Sequence, residues 1–127
     1  MTIIEALIAE HRLLRRMMDE MGRWLAEGVA PEALRQRVAM LEVAIDDHAT
    51  REEQLLFEPL RAVSTEARAQ VDLMEVVHDE VHDLFAQVAD PARAPADMLW
   101  TILTLTDEHF TKEENGVFPL AEQHGIQ

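Results

Sequence analysis

Cysteine and tyrosine are both absent from the 127-residue sequence, and each absence excludes a class of chemistry. Without thiols the chain forms no disulfide, zinc–thiolate site or iron–sulfur cluster, and without phenols it supports no tyrosyl-radical oxidase mechanism. No run approaches the roughly 20 apolar residues that cross a bilayer, and no apolar segment typical of a secretory signal follows the N-terminus. These absences predict a soluble, cytoplasmic protein with no membrane partner.

Positive charge is also scarce, because 11 Lys and Arg residues are set against 25 Asp and Glu residues. The formal charge of −14 repels phosphate backbones, which argues against nucleic acid as a partner. Glycine and proline are few, at four and five residues, and this composition favours helices. A chain of this length suits one domain, which we expect over residues 1–127.

Apolar residues recur at alternating steps of three and four over four segments, the pattern of helices with one buried face. Thr2 with Glu5 forms a capping-box pattern before the first helix, and Pro31 suits the first turn of the second. Ser64 can cap the third helix, and residues 90–95 form the clearest loop, ahead of the fourth. The sequence therefore predicts an all-α fold, an antiparallel up-down-up-down four-helix bundle.

A short pattern around two histidines occurs twice, with an offset of 61 positions that places His48 on His109. The same offset places Glu52 on Glu113, so each copy carries a histidine followed four residues later by a glutamate. Residues four apart on a helix lie about 6 Å apart along the axis and on nearly the same face. Each copy can therefore direct an imidazole and a carboxylate toward one point.

Polar residues occupy positions of the predicted buried stripes where apolar residues are expected. An unpaired buried polar side chain costs about 1–3 kcal/mol and a carboxylate costs more, against a net domain stability of roughly 5–15 kcal/mol. These residues therefore hydrogen-bond one another, face water on a stripe wider than the buried face, or bind metal. Metal is favoured for the whole set because every predicted helix contributes at least one of them. The candidate ligands are His11, His48, Glu52, His78, His82, His109 and Glu113.

The donor set contains five imidazoles and two carboxylates, which is too many for one tetrahedral zinc ion and suits two six-coordinate ions such as iron. His78 and His82, four residues apart, form a chelating pair. Glu114, five residues after His109, points away from the line of the other ligands and is the weaker alternative to Glu113.

The order of these motifs resembles the hemerythrin-like, or HHE cation-binding, family over about residues 3–122. The matching motifs are His11, His48-x-x-x-Glu52, His78-x-x-x-His82 and His109-x-x-x-Glu113-Glu114. The resemblance implies a non-haem centre of two iron ions joined by an oxo or hydroxo bridge. Oxygen-carrying members have an aspartate five residues after the last histidine, where this sequence has Glu114. The implied ligands are His78, His82 and His109 for one iron, His11 and His48 for the other, and Glu52 and Glu113 as bridges.

The resemblance also implies that dioxygen or a related small ligand binds reversibly at the open position of the two-histidine iron, for oxygen carriage, storage or sensing. Sensing would require a separate signalling partner. One alternative is a di-iron enzyme that disposes of hydrogen peroxide or nitric oxide, and another is an iron-storage or iron-sensing module. Binding is favoured over an enzyme, because five histidines leave a single open position for a ligand.

Overall fold

The computed structural model describes residues 1–90 and 95–126, and within these ranges the chain forms four long helices and no strand. Helix α1 spans Ile3–Glu27, and α3 spans Thr65–Val88. Helix α2 spans Pro31–Glu52 and continues through a π-helical turn, Glu53–Phe57, into a last α-helical turn, Glu58–Arg61. Helix α4 spans Pro95–Lys112 and continues in the same way through a π-helical turn, Glu113–Val117, into Phe118–Gln123. The all-α prediction is confirmed.

Local sequence signals set the helix ends. The Thr2 hydroxyl accepts a hydrogen bond from the Glu5 backbone N–H at 3.1 Å, and the Glu5 carboxylate accepts one from the Thr2 N–H, which closes the predicted capping box. Ser64 caps α3 by accepting a backbone N–H at 3.1 Å. Helix α1 ends at Gly28, whose φ of 75° lies in the left-handed region that glycine adopts without steric cost. Most of the predicted loop, residues 91–94, lies outside the described residues.

Two hydrophobic clusters show that the helices alternate in direction. Cluster A joins the beginnings of α1 and α3 to the ends of α2 and α4, and cluster B joins the opposite ends. Each helix therefore runs from one cluster to the other, in the sense opposite to its predecessor, as the antiparallel prediction requires. Cluster A contains Ile4, Leu7, Leu56, Phe57, Leu60, Ala67, Val71, Met74, Val117, Phe118, Leu120 and Ala121. Cluster B contains Leu14, Met18, Met21, Leu34, Val38, Leu41, Ile45, Val81, Phe85, Val88, Leu99, Ile102, Leu103 and Phe110.

A layer of polar residues separates the two clusters. His11 lies between Leu7 of cluster A and Leu14 of cluster B, and the other helices show the same order of apolar, polar and apolar residues. The polar residues buried in the core are His11, His48, Glu52, Thr106, His109 and Glu113. Among the helices that the structure describes, none combines the length and the apolar character needed to cross a membrane.

Candidate metal centre

Four of the predicted histidines direct their Nε2 atoms into the polar layer, in two pairs. His11 Nε2 lies 3.1 Å from His48 Nε2, and His78 Nε2 lies 2.9 Å from His109 Nε2. Two nitrogens that bind one ion at about 2.1 Å and at a right angle to each other lie about 3 Å apart. Each pair therefore has the separation of two imidazoles that ligate one ion.

Glu52 and Glu113 lie between the two histidine pairs, and each carboxylate contacts one or more histidines of both pairs. The side chains thus form two groups that could each hold a metal ion, and both groups contain both carboxylates. A carboxylate that bridges two ions needs this position. The nearest Nε2-to-oxygen distances are 3.3 Å for His48 and 3.2 Å for His78 to Glu52, and 3.3 Å for His11 and 3.2 Å for His109 to Glu113.

Both carboxylates are fully buried, and their oxygens make no hydrogen bond of good geometry with any described residue. A buried carboxylate without donors costs several kcal/mol, and a bound cation removes that cost. The donors are imidazole nitrogens and carboxylate oxygens with no sulfur, a set that suits iron and other first-row divalent ions. These residues therefore fit a metal ion at each group.

The two carboxylates differ in their affinity for a proton. Burial raises the pKa of Glu52, but polar contacts with Glu113 and with the histidines outweigh burial and hold this pKa well below its ordinary value. Burial and the negative charge of Glu52 raise the pKa of Glu113 well above its ordinary value. In the absence of metal, Glu113 therefore holds a proton more readily than Glu52, and any proton on the pair must leave when a cation binds both carboxylates.

Two further carboxylates hold His11 and His48 from outside the layer. His11 Nδ1 donates to Glu114 Oε2 at 3.2 Å, and His48 Nδ1 donates to Glu10 Oε1 at 2.7 Å. A carboxylate can only accept, so each Nδ1 carries a proton and the neutral imidazole presents a lone pair at Nε2. The guanidinium groups that donate to these carboxylates, both at 2.7 Å, are Arg15 to Glu114 and Arg51 to Glu10.

Neutral His11 and His48 would therefore turn two lone pairs toward each other at 3.1 Å, an arrangement that needs a cation or a proton between them. The electrostatics agree with this need. Burial lowers the pKa of His48, but the carboxylates of Glu52 and Glu10 outweigh burial and raise this pKa above its ordinary value. Without metal, a proton on His48 can occupy the position that a metal ion would take.

Phenylalanine rings fix the orientation of two imidazoles. Phe110 stacks on His11 with ring centroids 3.9 Å apart, and Phe118 packs against His11 at 5.4 Å. Phe57, which the sequence repeat places on Phe118, packs against His78 at 5.7 Å. Both copies of the repeat therefore supply an imidazole, a carboxylate and a phenyl ring to the layer.

The structure does not bring His82 into either group, and the prediction that this residue faces inward is wrong. The His82 side chain is 67% exposed, and its Nδ1 lies 4.0 Å from Asp46 Oδ1. The buried face of α3 passes from His78 to Val81 and Phe85, so His82 falls on the outer side of the stripe. Its role as a ligand stays a prediction.

The π-helical turns begin at or next to the shared carboxylates. Glu52 immediately precedes the first turn, and Glu113 opens the second. A π-helical turn inserts one residue into an α-helix, and such insertions are frequent at functional sites. Here the wider turn leaves Glu52 and Phe57 both buried although they are five residues apart. The same holds for Glu113 and Phe118.

A small cavity of about 30 Å³ adjoins the polar layer. Four histidines, His48, His78, His82 and His109, line it together with Asp46. The rest of the lining is mostly apolar. These remaining residues are Ile45, Ala49, Val81, Thr106 and Phe110. A space of this size admits a molecule no larger than a few atoms.

Sequence reasoning missed the residues that support the imidazoles from outside. Glu10, Arg15 and Arg51 lie off the apolar stripes, where charged residues on a helix are ordinary, and the repeat does not include Glu10 or Arg15. The sequence offers Glu114 as an alternative to Glu113, and the structure places its carboxylate against His11 Nδ1. The position of Glu10 next to His11 in the sequence was the available hint of its role. The Glu10 carboxylate contacts His48, however, and this contact forms only when α1 and α2 pack together.

An antiparallel four-helix bundle with two imidazole–carboxylate groups in its core defines a class of cation-binding bundle proteins. The Hemerythrin HHE cation binding domain family matches residues 2–123, and the chain belongs to this family. No curated protein and no solved structure gives a significant match to the chain.

Proposed function

We propose that this protein holds two iron ions and binds dioxygen, or a related small ligand, reversibly. The observation that supports this function most directly is the sharing of Glu52 and Glu113 by two histidine pairs. Two irons placed this way, with an oxo or hydroxo bridge, would supply the electrons and the open coordination position that reversible dioxygen binding requires. Carriage, storage and sensing would all use this binding step.

The histidines and carboxylates of the polar layer support a ligand set for two ions. His11 and His48 would hold one ion and His78 and His109 the other, with Glu52 and Glu113 shared between them. His82 would join the second group if its side chain turned away from Asp46, since it lies four residues after His78 on the same helix. With His82 in place, the second ion has one more protein ligand than the first, which leaves the open position on the first.

The lining of the cavity supports a small, uncharged ligand. Ile45, Val81 and Phe110 border the space beside the histidines, and its volume of about 30 Å³ excludes larger molecules. Apolar walls keep water and protons away from the centre, and this slows irreversible loss of electrons to the ligand.

Reversible binding is tested with metal-free protein reloaded anaerobically with two equivalents of Fe(II). Exposure to dioxygen should produce a visible absorption band that disappears under vacuum and returns over repeated cycles. Rapid gas evolution on addition of hydrogen peroxide, without loss of the centre, would instead favour the enzyme. An iron content well above two per chain would favour iron storage.

His48→Ala should abolish ligand binding, because it removes one of the two histidines of the ion with the open position. The dioxygen-dependent absorption band of the reloaded protein measures this loss. His124→Ala is the control, because His124 lies near the C-terminus, beyond the last α-helical turn, and should leave iron content and spectrum unchanged. If His124→Ala strips the iron instead, the ligand assignment is wrong.

One observation favours peroxide or nitric oxide disposal as a second candidate. Thr106 is buried beside the cavity, and its hydroxyl has no hydrogen-bond partner among the residues described. On the same helix, the hydroxyls of Thr101 and Thr111 donate to the carbonyls four residues earlier, as threonines in helices commonly do. A free hydroxyl at the cavity could donate a hydrogen bond to a ligand there.

Thr106→Val keeps the side-chain shape and removes that donor. If the protein is a reversible binder, dioxygen affinity should fall by no more than about tenfold, since a neutral hydrogen bond contributes about 1 kcal/mol. Peroxide turnover by the reloaded protein, compared between the variant and the parent, distinguishes the two candidates. A large loss of turnover would identify Thr106 as a proton or hydrogen-bond donor in an enzyme.

A further inference from the structure

The two histidine pairs differ in what supports them. His11 and His48 each donate from Nδ1 to a carboxylate. His78 and His109 have no such hydrogen bond within the described residues, and His109 Nδ1 is buried there without a partner. The two histidine pairs therefore have similar candidate ligands, but they differ in whether a carboxylate accepts a hydrogen bond from Nδ1.

Each carboxylate that supports a histidine lies on a different helix from that histidine. Glu10 of α1 holds His48 of α2, and it is held in turn by Arg51, one α-helical turn along from His48. Glu114, at the end of α4, holds His11 of α1 and is held by Arg15, one turn beyond His11. Each carboxylate is thus fixed from both sides, and each imidazole is held against a neighbouring helix.

A carboxylate at Nδ1 has two effects on a ligating histidine. It fixes the tautomer so that Nε2 presents its lone pair, and it increases the electron density that the imidazole donates to a metal ion. Loss of such a partner commonly weakens metal affinity 10–100-fold. The His11–His48 position has both of its imidazoles supported in this way, and the His78–His109 position has neither.

We propose that, with His82 directed outward as the structure has it, Glu10 with Arg51, and Glu114 with Arg15, make the His11–His48 position the stronger metal site. The first divalent ion then fills this position and the second fills the His78–His109 position. Two of these residues are partly exposed carboxylates that bind no metal themselves, and they act by positioning and polarising His11 and His48. The inference rests on the proposed two-ion centre.

The sequence repeat provides a matched control. Glu53 is the counterpart of Glu114 at the offset of 61 residues, and it accepts a hydrogen bond from Arg61 at 3.2 Å without contacting a histidine. Glu53→Gln therefore makes the same chemical change in the same kind of ion pair. It leaves both histidine pairs as they are.

The experiment is an anaerobic titration of the metal-free protein with Co(II), followed by calorimetry and visible absorption. The parent should bind two ions in two steps of different affinity. The double variant Glu10→Gln, Glu114→Gln removes both partners, so it should weaken binding at the His11–His48 position about 100-fold or more and leave the affinity of the His78–His109 position unchanged. Glu53→Gln should change neither step. Far-ultraviolet circular dichroism of the metal-free variants establishes that each one is folded.

Ligand variants assign the steps to positions. The tighter step should survive in His78→Ala and be lost in His48→Ala. Loss of the tighter step in His78→Ala, or an unchanged tighter step in the double glutamate variant, would overturn the inference. A stoichiometry of one ion would overturn the two-ion centre itself, and the effect of the same variants on that single ion would still decide the inference. Because Co(II) binding does not depend on dioxygen, a failure of reversible dioxygen binding leaves this titration independent.

Discussion

At the scale of single residues, the two buried carboxylates of the polar layer differ in proton affinity without metal but must both be ionised when metal binds. Without metal, burial and the negative charge of Glu52 raise the pKa of Glu113, while contacts with its neighbours lower the pKa of Glu52. With a cation, both must be ionised. A substitution that the metal-free protein tolerates but the metal-bound protein does not therefore affects metal binding without affecting folding.

Glu113→Gln should change the stability of the metal-free protein by less than about 1 kcal/mol, because the raised pKa of Glu113 favours its neutral form and glutamine is a neutral side chain of the same shape. Glu52→Gln should cost about 3 kcal/mol, since it removes a buried charge that faces the histidines. Both variants should lose two-ion binding. Urea denaturation of metal-free protein and metal titration measure the two effects, and equal destabilisation by the two variants would contradict the assignment.

At the scale of a helix, the π-helical turns set the positions of Glu52 and Glu113 relative to the ends of α2 and α4. The buried face of the helix reaches Glu113 from His109 by a step of four, and the next buried residues, Val117 and Phe118, follow four and five residues later across the π-helical turn. One extra residue accommodated in each copy lets the ends of α2 and α4 keep their apolar contacts in cluster A while the carboxylate stays in the layer.

Deletion of Asn115, an exposed residue of the second π-helical turn, should convert this turn to regular α-helix. Because a single-residue insertion is removed, the segments on both sides of the turn should stay helical and the helix content should be unchanged. The position of Glu113 should shift, and Co(II) affinity should fall at least tenfold. Circular dichroism and Co(II) titration measure these outcomes. Asn115→Ala, which keeps the chain length, is the control, and a deletion variant with parental affinity would show that the wider turn is not needed.

At the scale of the whole molecule, a bundle with a charged layer between two hydrophobic clusters has a pH-dependent stability. Burial and the nearby positive charge of His78 lower the pKa of His109 from 6.5 to about 3. Below pH 6.5 the unfolded chain therefore binds a proton that folded His109 does not, so stability falls as pH decreases. Glu113 acts in the opposite direction down to pH 4.5, because its raised pKa lets the folded state bind a proton first.

Below pH 4.5, Glu52 adds to the effect of His109, because its lowered pKa means that the unfolded chain binds the proton more readily there as well. The free energy of unfolding of the metal-free protein should therefore fall steeply between pH 4.5 and about 3. These two groups contribute up to about 2.7 kcal/mol per pH unit to this slope. Urea denaturation across pH 3.5–6.5 measures the slope. His109→Gln should remove about half of it, and an unchanged slope in that variant would contradict the account.

The sequence by itself determined the features that depend on helical periodicity and short spacing. Thr2 and Ser64 marked helix starts, and the four-residue step from His48 to Glu52 placed both on one face. The recurrence of that step at His109 and Glu113 marks both carboxylates of the polar layer from sequence alone. Such features are local, because the backbone geometry of a helix fixes them without help from the rest of the chain.

Only the tertiary structure decided which residues face the polar layer and which carboxylates hydrogen-bond to its histidines. Periodicity could not choose between Val81 and His82, since a helix of 3.6 residues per turn places positions three and four residues after His78 on nearly the same face. The contacts of Glu10 and Glu114 join residues from different helices, so they exist only once those helices pack together. Long-range contacts of this kind depend on the rotation and height of each helix, and no short-range pattern in the sequence encodes them.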